Sequence, residues 1–243
     1  MSADFGNQKF NRRNVLTGLA SIPAGAFLAS CSSTSNVSQT LAVPTNIAEE
    51  NNNFNYADIY AAKFDGDVPL PAFDYTKMDP KYLRQWSRLH GNYKPGTLIV
   101  DTSKKYLYLA QGNGRALRYG TAVGKEGFAW HGDAIMKWKQ KWPTWTPPAE
   151  MIARTPKLKE FEDGMPGGSD NPLGARALYL FKDNRDTLFR VHGTNRPYSI
   201  GKAASSGCFR MVNQDVIDLY ERVPPGSNVF VRQDIEERLV EGG

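Results

Sequence analysis

The chain runs to 243 residues with a formal charge of +5; 40% of it is hydrophobic and 12% aromatic, with 22 Gly and 15 Pro. That length accommodates one main domain with appendages, and the glycine and proline content suits a loop-rich β protein rather than a helical bundle. The first 31 residues carry Lys9, Arg12 and Arg13 against Asp4, which leaves 27 basic and 24 acidic residues beyond them, an excess too small to argue for a nucleic-acid partner.

Residues 1–31 read as an address label. Arg12 and Arg13 are followed by Asn14-Val15-Leu16-Thr17 and by an apolar stretch from Gly18 to Ala29 that Pro23 interrupts. A membrane-spanning helix needs about 20 apolar residues, so an export signal is the better reading of this run. The arginine pair resembles a twin-arginine signal, and Leu28-Ala29-Ser30-Cys31 resembles a lipoprotein box. The second likeness implies diacylation of Cys31 and a lipid anchor, with Ser32 after it favouring the outer membrane of a Gram-negative cell. Cleavage after Ala24-Gly25-Ala26 would release a soluble protein instead.

Residues 32–55, rich in Ser, Thr and Asn, read as a flexible tether. An extension follows over 56–92, with a helix expected near Pro80 to Leu89, and the main domain is expected over 93–234, ahead of a tail at 235–243. Strand signals recur at 97–101, 106–109, 116–123, 177–181, 187–191 and 228–232, where β-branched and aromatic residues alternate with others. One helix is signalled later, with Asn213 as its cap, Asp215 in its first turn, and Val216, Leu219, Tyr220 and Val223 at helical spacing before Pro224-Pro225-Gly226. The stretch from Trp138 to Pro148, holding Trp142, Trp145 and three prolines, suits either a groove for extended chains or burial in the core. Gly164-Met165-Pro166-Gly167-Gly168 reads as a lid beside a cleft or as plain turn chemistry.

Only two cysteines are present. With Cys31 lipidated, Cys208 has no disulfide partner, and an unpaired thiol in an oxidising compartment is a liability unless it is inert or needed for chemistry. Its setting favours chemistry. The strand ending at Val191 runs into His192-Gly193-Thr194, and Cys208 follows within Ser205-Ser206-Gly207-Cys208-Phe209-Arg210-Met211. A thiol of pKa about 8.5 is mostly protonated at neutral pH, and a nearby imidazole raises its thiolate fraction. Gly193 lets a carbonyl approach the ring and fix its tautomer, while Gly207 permits a tight turn whose amides can face an oxyanion.

This pair of elements resembles the signature of the L,D-transpeptidases of the YkuD (ErfK) type, a His-Gly element followed by Ser/Thr-His-Gly-Cys-x-Arg. The likeness extends from Gly96 to Val231 and includes Asn171-Pro172-Leu173-Gly174. It implies a mainly β fold, the family's sandwich or barrel with a short helix after the catalytic cysteine. It also implies Cys208 as nucleophile and His192 as base, with Gly193 and Gly207 shaping the site. Arg210 then supports the site or a substrate carboxylate, against the plain alternative of a surface salt bridge, and Ser205, Ser206 and His131 fall near the substrate. Ser206 stands where many relatives carry His, which puts the acid–base burden on His192. His90 reads as a structural or surface residue, and the same plain reading stands beside the substrate role for His131.

The implied reaction joins peptidoglycan stem peptides. A Cys208 thioester passes to an amine of a second stem in a 3→3 cross-link, or to an outer-membrane protein as acyl acceptor. The setting would be the periplasm, no cofactor or metal is expected, and carbapenems would inhibit. Two rivals remain open: an L,D-carboxypeptidase or endopeptidase on the same fold, and a wall-binding lipoprotein without turnover.

Overall fold

The computed structural model describes residues 54–124, 130–203 and 207–233. The export segment with Cys31, nearly all of the tether, Ser205, Ser206 and the tail from 234 onward lie outside the described residues. The extension supplies α1 (Tyr56–Ile59), a hairpin of β1 (Lys63–Asp65) and β2 (Val68–Leu70), and β3 (Gln85–Arg88). Then come β4 (Leu98–Asp101), β5 (Tyr106–Gly112), β6 (Arg115–Gly120), β7 (Ala122–Val123) and β8 (Gly132–Lys141). A long connection carrying α2 (Ala149–Arg154) leads to β9 (Arg176–Lys182) and β10 (Arg185–His192), followed by β11 (Phe209–Arg210), α3 (Asn213–Arg222) and β12 (Ser227–Arg232).

The mainly β architecture expected from the sequence is present. Among the described residues ten strands make one sheet in the order β3-β6-β5-β4-β12-β8-β9-β10-β11-β7. In sequence only Thr121 separates β6 from β7, yet these strands hold the second and last places, so the sheet curls until its ends meet. Thr121 ties that seam, its amide donating to the Lys105 carbonyl at 2.9 Å and its hydroxyl to the Arg210 carbonyl at 2.8 Å. Gly120 is obligatory there, because a Cβ would sit 2.4 Å from the Tyr82 carbonyl oxygen.

The interior follows from the alternation. Leu98, Val100, Leu107, Leu109, Leu178, Leu180, Val191 and Phe209 point to one side and pack with Val216 and Leu219 of α3. Ile99, Tyr106, Tyr108 and Ala110 point to the other side, where Leu89 covers them. Both faces of β4 and β5 are therefore buried, which explains their continuous apolar runs.

Two expectations need correction. Pro80 to Leu89 is not helical: Pro80–Tyr82 make a single 3-10 turn, capped by the Asp79 carboxylate on the Lys81 amide at 3.1 Å, and β3 follows. Trp86 and its neighbours find a ladder on β6, with Trp86 opposite Leu117, and pairing outweighs local helix propensity. Asn213 does not cap α3 either, since it is the first helical residue and Val212 holds the cap position without a side-chain bond.

The extension is anchored by buried ion pairs. Arg84 reaches Asp215 of α3 at 2.9 Å and Asp218 at 2.9 Å, and the Tyr60 hydroxyl bonds the same Asp215 carboxylate. Arg176 at the head of β9 is almost wholly buried and donates to Asp65 of the hairpin at 2.9 Å. No helix among the described residues is long and apolar enough to cross a membrane.

Candidate active site

β10 places His192 at its end. Val191 faces the core, so alternation turns His192 to the opposite, outward face of the sheet. β11 runs parallel to β10, pairing Phe209 with Val191 and Arg210 with His192. Phe209 is fully buried, which sets Arg210 on the outward face beside His192. The Met211 amide locks this register on the His192 carbonyl at 2.8 Å.

Cys208 enters from the turn before β11, where Gly207 adopts a φ of 76°, the left-handed region that a side chain disfavours. Its thiol is half-buried and donates weakly to the Leu188 carbonyl at 3.9 Å. That carbonyl is aimed by an irregularity in β10 between Asp186 and Arg190, with Leu188 at a φ of 63°. Asp186 holds the distortion, accepting from the Leu188 amide at 2.8 Å and from both Arg190 nitrogens at 2.7 Å. A non-glycine residue held this way beside a thiol is the kind of stored strain that active sites accumulate.

The His192 ring is buried, with Nδ1 2.6 Å from the Gly193 carbonyl oxygen. Its pKa is lowered from 6.5 to about 4, chiefly by burial and next by the Arg210 guanidinium, against a pull upward from the Gly193 and Leu173 carbonyls. The ring is therefore neutral at neutral pH, and since a carbonyl only accepts, Nδ1 carries the proton and Nε2 the lone pair. Arg210 is also held below its ordinary value, first by burial and then by Arg196, while Cys208 favours its charged form. The guanidinium remains a cation at neutral pH.

The cavity in front of these groups has a volume of about 600 Å³. Cys208, His192, Arg210 and Leu188 form its sheet wall, and Arg196 enters from the loop after β10. The opposite wall is apolar, with Trp145, Met151, Leu158, Phe161 and Met165 from the β8–β9 connection. That connection is pinched shut at its base, where the Trp142 amide donates to the Ala175 carbonyl at 2.9 Å. Trp145 and Met165 exchange backbone bonds at 2.9 and 2.7 Å, so the Gly164 to Gly168 segment is a pinned part of this wall.

Two asparagines that sequence reasoning did not assign to the site hold it together. The Asn213 side-chain oxygen accepts from the Ala175 amide at 3.0 Å and the Thr194 amide at 3.1 Å, and its nitrogen donates to the Thr194 carbonyl at 3.1 Å. A Cβ on Gly174 or Gly193 would lie 2.1 Å from that oxygen, so both glycines make room for the clamp. The fully buried Asn171 donates to the Pro143, Met165 and Pro166 carbonyls at 3.0–3.1 Å, and its oxygen accepts from the Leu173 amide at 2.8 Å. Their signals were present as Asn171-Pro172-Leu173-Gly174 and as an Asn shortly after the cysteine element, the second absorbed by the helix-cap reading.

Of the sequence-stated residues, Cys208, His192 and Arg210 meet at the cavity, with Gly193 and Gly207 in its backbone frame. His131 is exposed ahead of β8 and is not among the residues lining the cavity. Ser205 and Ser206 lie outside the described residues.

Residues 95–231 match the L,D-transpeptidase catalytic domain (YkuD) family. The chain is similar to a protein named probable L,D-transpeptidase YbiS of Escherichia coli, 33% identical over 149 residues, covering 58% of this chain and 46% of that protein. It is also similar to the probable L,D-transpeptidase ErfK/SrfK of Salmonella typhimurium, 27% identical over 209 residues, or 80% of this chain and 65% of that protein. The chain thus spans from about half to just under two thirds of these relatives' length. A crystal structure named as a probable carnitine operon oxidoreductase CaiA from Brucella melitensis is 49% identical, covers 63% of this chain and 96% of that one, and has a TM-score of 0.45.

Proposed function

The chain belongs to the L,D-transpeptidase catalytic domain family, and on that premise we propose that it is an exported cysteine acyltransferase acting on peptidoglycan stem peptides. The observation that carries this reading is the meeting of a half-buried thiol, a neutral buried imidazole and a half-buried guanidinium on one wall of one cavity.

In this mechanism Nε2 of His192 takes the thiol proton as the Cys208 sulfur attacks the carbonyl carbon of meso-diaminopimelate, the third residue of a stem tetrapeptide. Arg210 favours the thiolate, and the amides of the turn at Gly207 and Cys208 hold the developing oxyanion. The peptide C–N bond then breaks, His192 returns its proton to the departing D-alanine amine, and a thioester remains. An amine of a second stem attacks the thioester, gives a proton to His192 and leaves with the acyl group in a 3→3 cross-link. An outer-membrane protein amine in that role tethers the protein to the wall, and water makes the enzyme a carboxypeptidase. The thioester conserves the energy of the cleaved bond, so the exchange runs without a nucleotide.

Arg12, Arg13 and Cys31 support twin-arginine export to the periplasm and a lipid anchor on the outer membrane. Ser205 and Ser206, beside the nucleophile in sequence, are assigned to the substrate's side, and His131 meets a substrate that extends past the cavity.

Mass spectrometry of the protein with defined muropeptides tests the reading. An acyl adduct on Cys208 and a 3→3 dimer are expected, a carbapenem adds to the same cysteine, and Cys208→Ala loses all of these. Cross-linking or tethering that persists unchanged in Cys208→Ala would sink the catalytic reading.

A further inference from the structure

The nucleophile shares a row with an aromatic surface that the reaction above does not use. Register pairs Trp138 of β8 with Tyr179 of β9, and Tyr179 with Arg190 of β10. The parallel pairing of Val191 with Phe209 continues one residue back to set Cys208 abreast of Arg190. Trp138, Tyr179, Arg190 and Cys208 therefore lie in one line across the outward face of three neighbouring strands and the turn that leads into β11.

The side chains along that line are stacked in advance. The Arg190 guanidinium lies 4.4 Å from the Tyr179 ring centroid, and the Trp138 ring lies against Tyr179 with centroids 3.5 Å apart and planes 9° from parallel. Asp186 fixes the end of this ladder nearest the thiol, accepting from Arg190 Nη1 and Nη2 at 2.7 Å each. Trp138 is 42% exposed although one of its ring faces is covered. Among the described residues five large apolar side chains stand exposed, and three of them, Ile135, Trp138 and Leu188, are on this face. Leu188 also lines the cavity, so exposed apolar side chains stand on this face both beside the thiol and at the tryptophan.

Geometry supplies the occupant. Strands are about 4.7–4.9 Å apart, so three intervals separate the Cys208 and Trp138 backbones by about 14 Å. A three-residue peptide extends about 10–11 Å, and the link joining the first stem residue to its sugar adds to that. A stem whose third carbonyl is at Cys208 thus delivers its sugar to Trp138. Pyranose rings present a face of C–H groups that packs on a flat aromatic ring, and a platform already ordered by Tyr179 and Arg190 loses little freedom on binding. Gln140, on the same face and accepting from the Tyr179 hydroxyl at 3.4 Å, adds an amide for sugar hydroxyl or acetamido groups.

We propose that Trp138 is the floor of a sugar subsite, on which a hexopyranose ring of the glycan strand bearing the donor stem stacks while the stem runs along the sheet to Cys208. The proposal rests on the stem-peptide reading above and makes the enzyme selective for stems still attached to glycan.

The test compares kcat/KM for a free stem tetrapeptide with that for the same stem on a disaccharide. Trp138→Ala is expected to cut the preference for the glycan-linked stem about tenfold, the size of one lost aromatic stacking contact. Trp138→Phe keeps most of the preference, and the remote exposed control Phe64→Ala keeps all of it. An unchanged preference in Trp138→Ala, or an equal loss on both substrates, overturns the subsite. Calorimetric titration with stem-free glycan strands decides independently of turnover. Binding by wild type that weakens about tenfold in Trp138→Ala supports the subsite even if neither substrate is turned over and the transpeptidase reading falls, whereas no binding by wild type removes it.

Discussion

The two walls of the cavity are built on different principles. On the sheet wall, register places each chemical group: Val191 and Phe209 are locked in the core, and His192 and Arg210 have no freedom but to face outward together. The opposite wall is a closed connection of apolar side chains whose path depends on a few bonds, chiefly those of Asn171 and the Trp145–Met165 pair. On the proposed reaction, chemistry that tolerates little misplacement falls to the ladder, and recognition, which tolerates more, to the connection. Asn213 joins the two, because it holds Ala175 at the end of the connection and Thr194 after the imidazole with one side chain.

Cutting that joint is expected to have the largest effect of the changes that leave the thiol in place. Asn213→Ala strands two buried amides and a carbonyl, a cost of about 2–4 kcal/mol in stability, and kcat falls about a hundredfold as the His192–Gly193 segment loosens. Asn213→Asp keeps the acceptor for both amides and recovers part of the loss, measurable by denaturant melts beside single-turnover acylation. A drop in stability with an unchanged acylation rate would show that the clamp serves the fold alone. Leu158→Ala probes the apolar wall without touching the ladder. KM is expected to rise by about three- to tenfold with kcat within twofold. An equal fall in kcat would mean that this wall also positions the reacting carbonyl.

Sequence patterning revealed the sheet wall better than the other. Strands around residues 98–101, 177–181 and 187–191 were legible because their alternation is strong, and the His192 and Cys208 elements stood out against few other reactive side chains. β8 escaped notice because its irregularity between Met136 and Trp138 breaks the alternation and puts Lys137 and Trp138 both outward, so Trp138 read as part of the proline-rich stretch after it. β3 was hidden for a different reason: Gln85–Arg88 carries no strand pattern of its own and is ordered by its partner β6. The clamps of Asn171 and Asn213 depend on contacts across 28 and 38 residues of chain, which no local spacing encodes.

The smallest expected effect is in acid, and it bears on why the imidazole belongs to the buried wall. With a pKa lowered to about 4, His192 stays in its base form well below the range of an ordinary histidine. Between pH 7 and pH 5 the base fraction falls by roughly a tenth, where a histidine at its usual value would lose about twenty-fivefold, so the His192 limb of kcat/KM should appear near pH 4. An acid limb near 6.5 would mean that the ring is solvated in the working enzyme and that the sheet wall is looser than its register implies. Stability follows the same sign. The folded state binds this proton less readily than the unfolded chain, so the contribution of His192 is intact above about pH 6.5 and declines as pH falls through about 4. Melting wild type and His192→Gln side by side across that window isolates it, because the carboxylates that also titrate in acid are common to both, and the wild type should lose more stability than the variant as the pH drops.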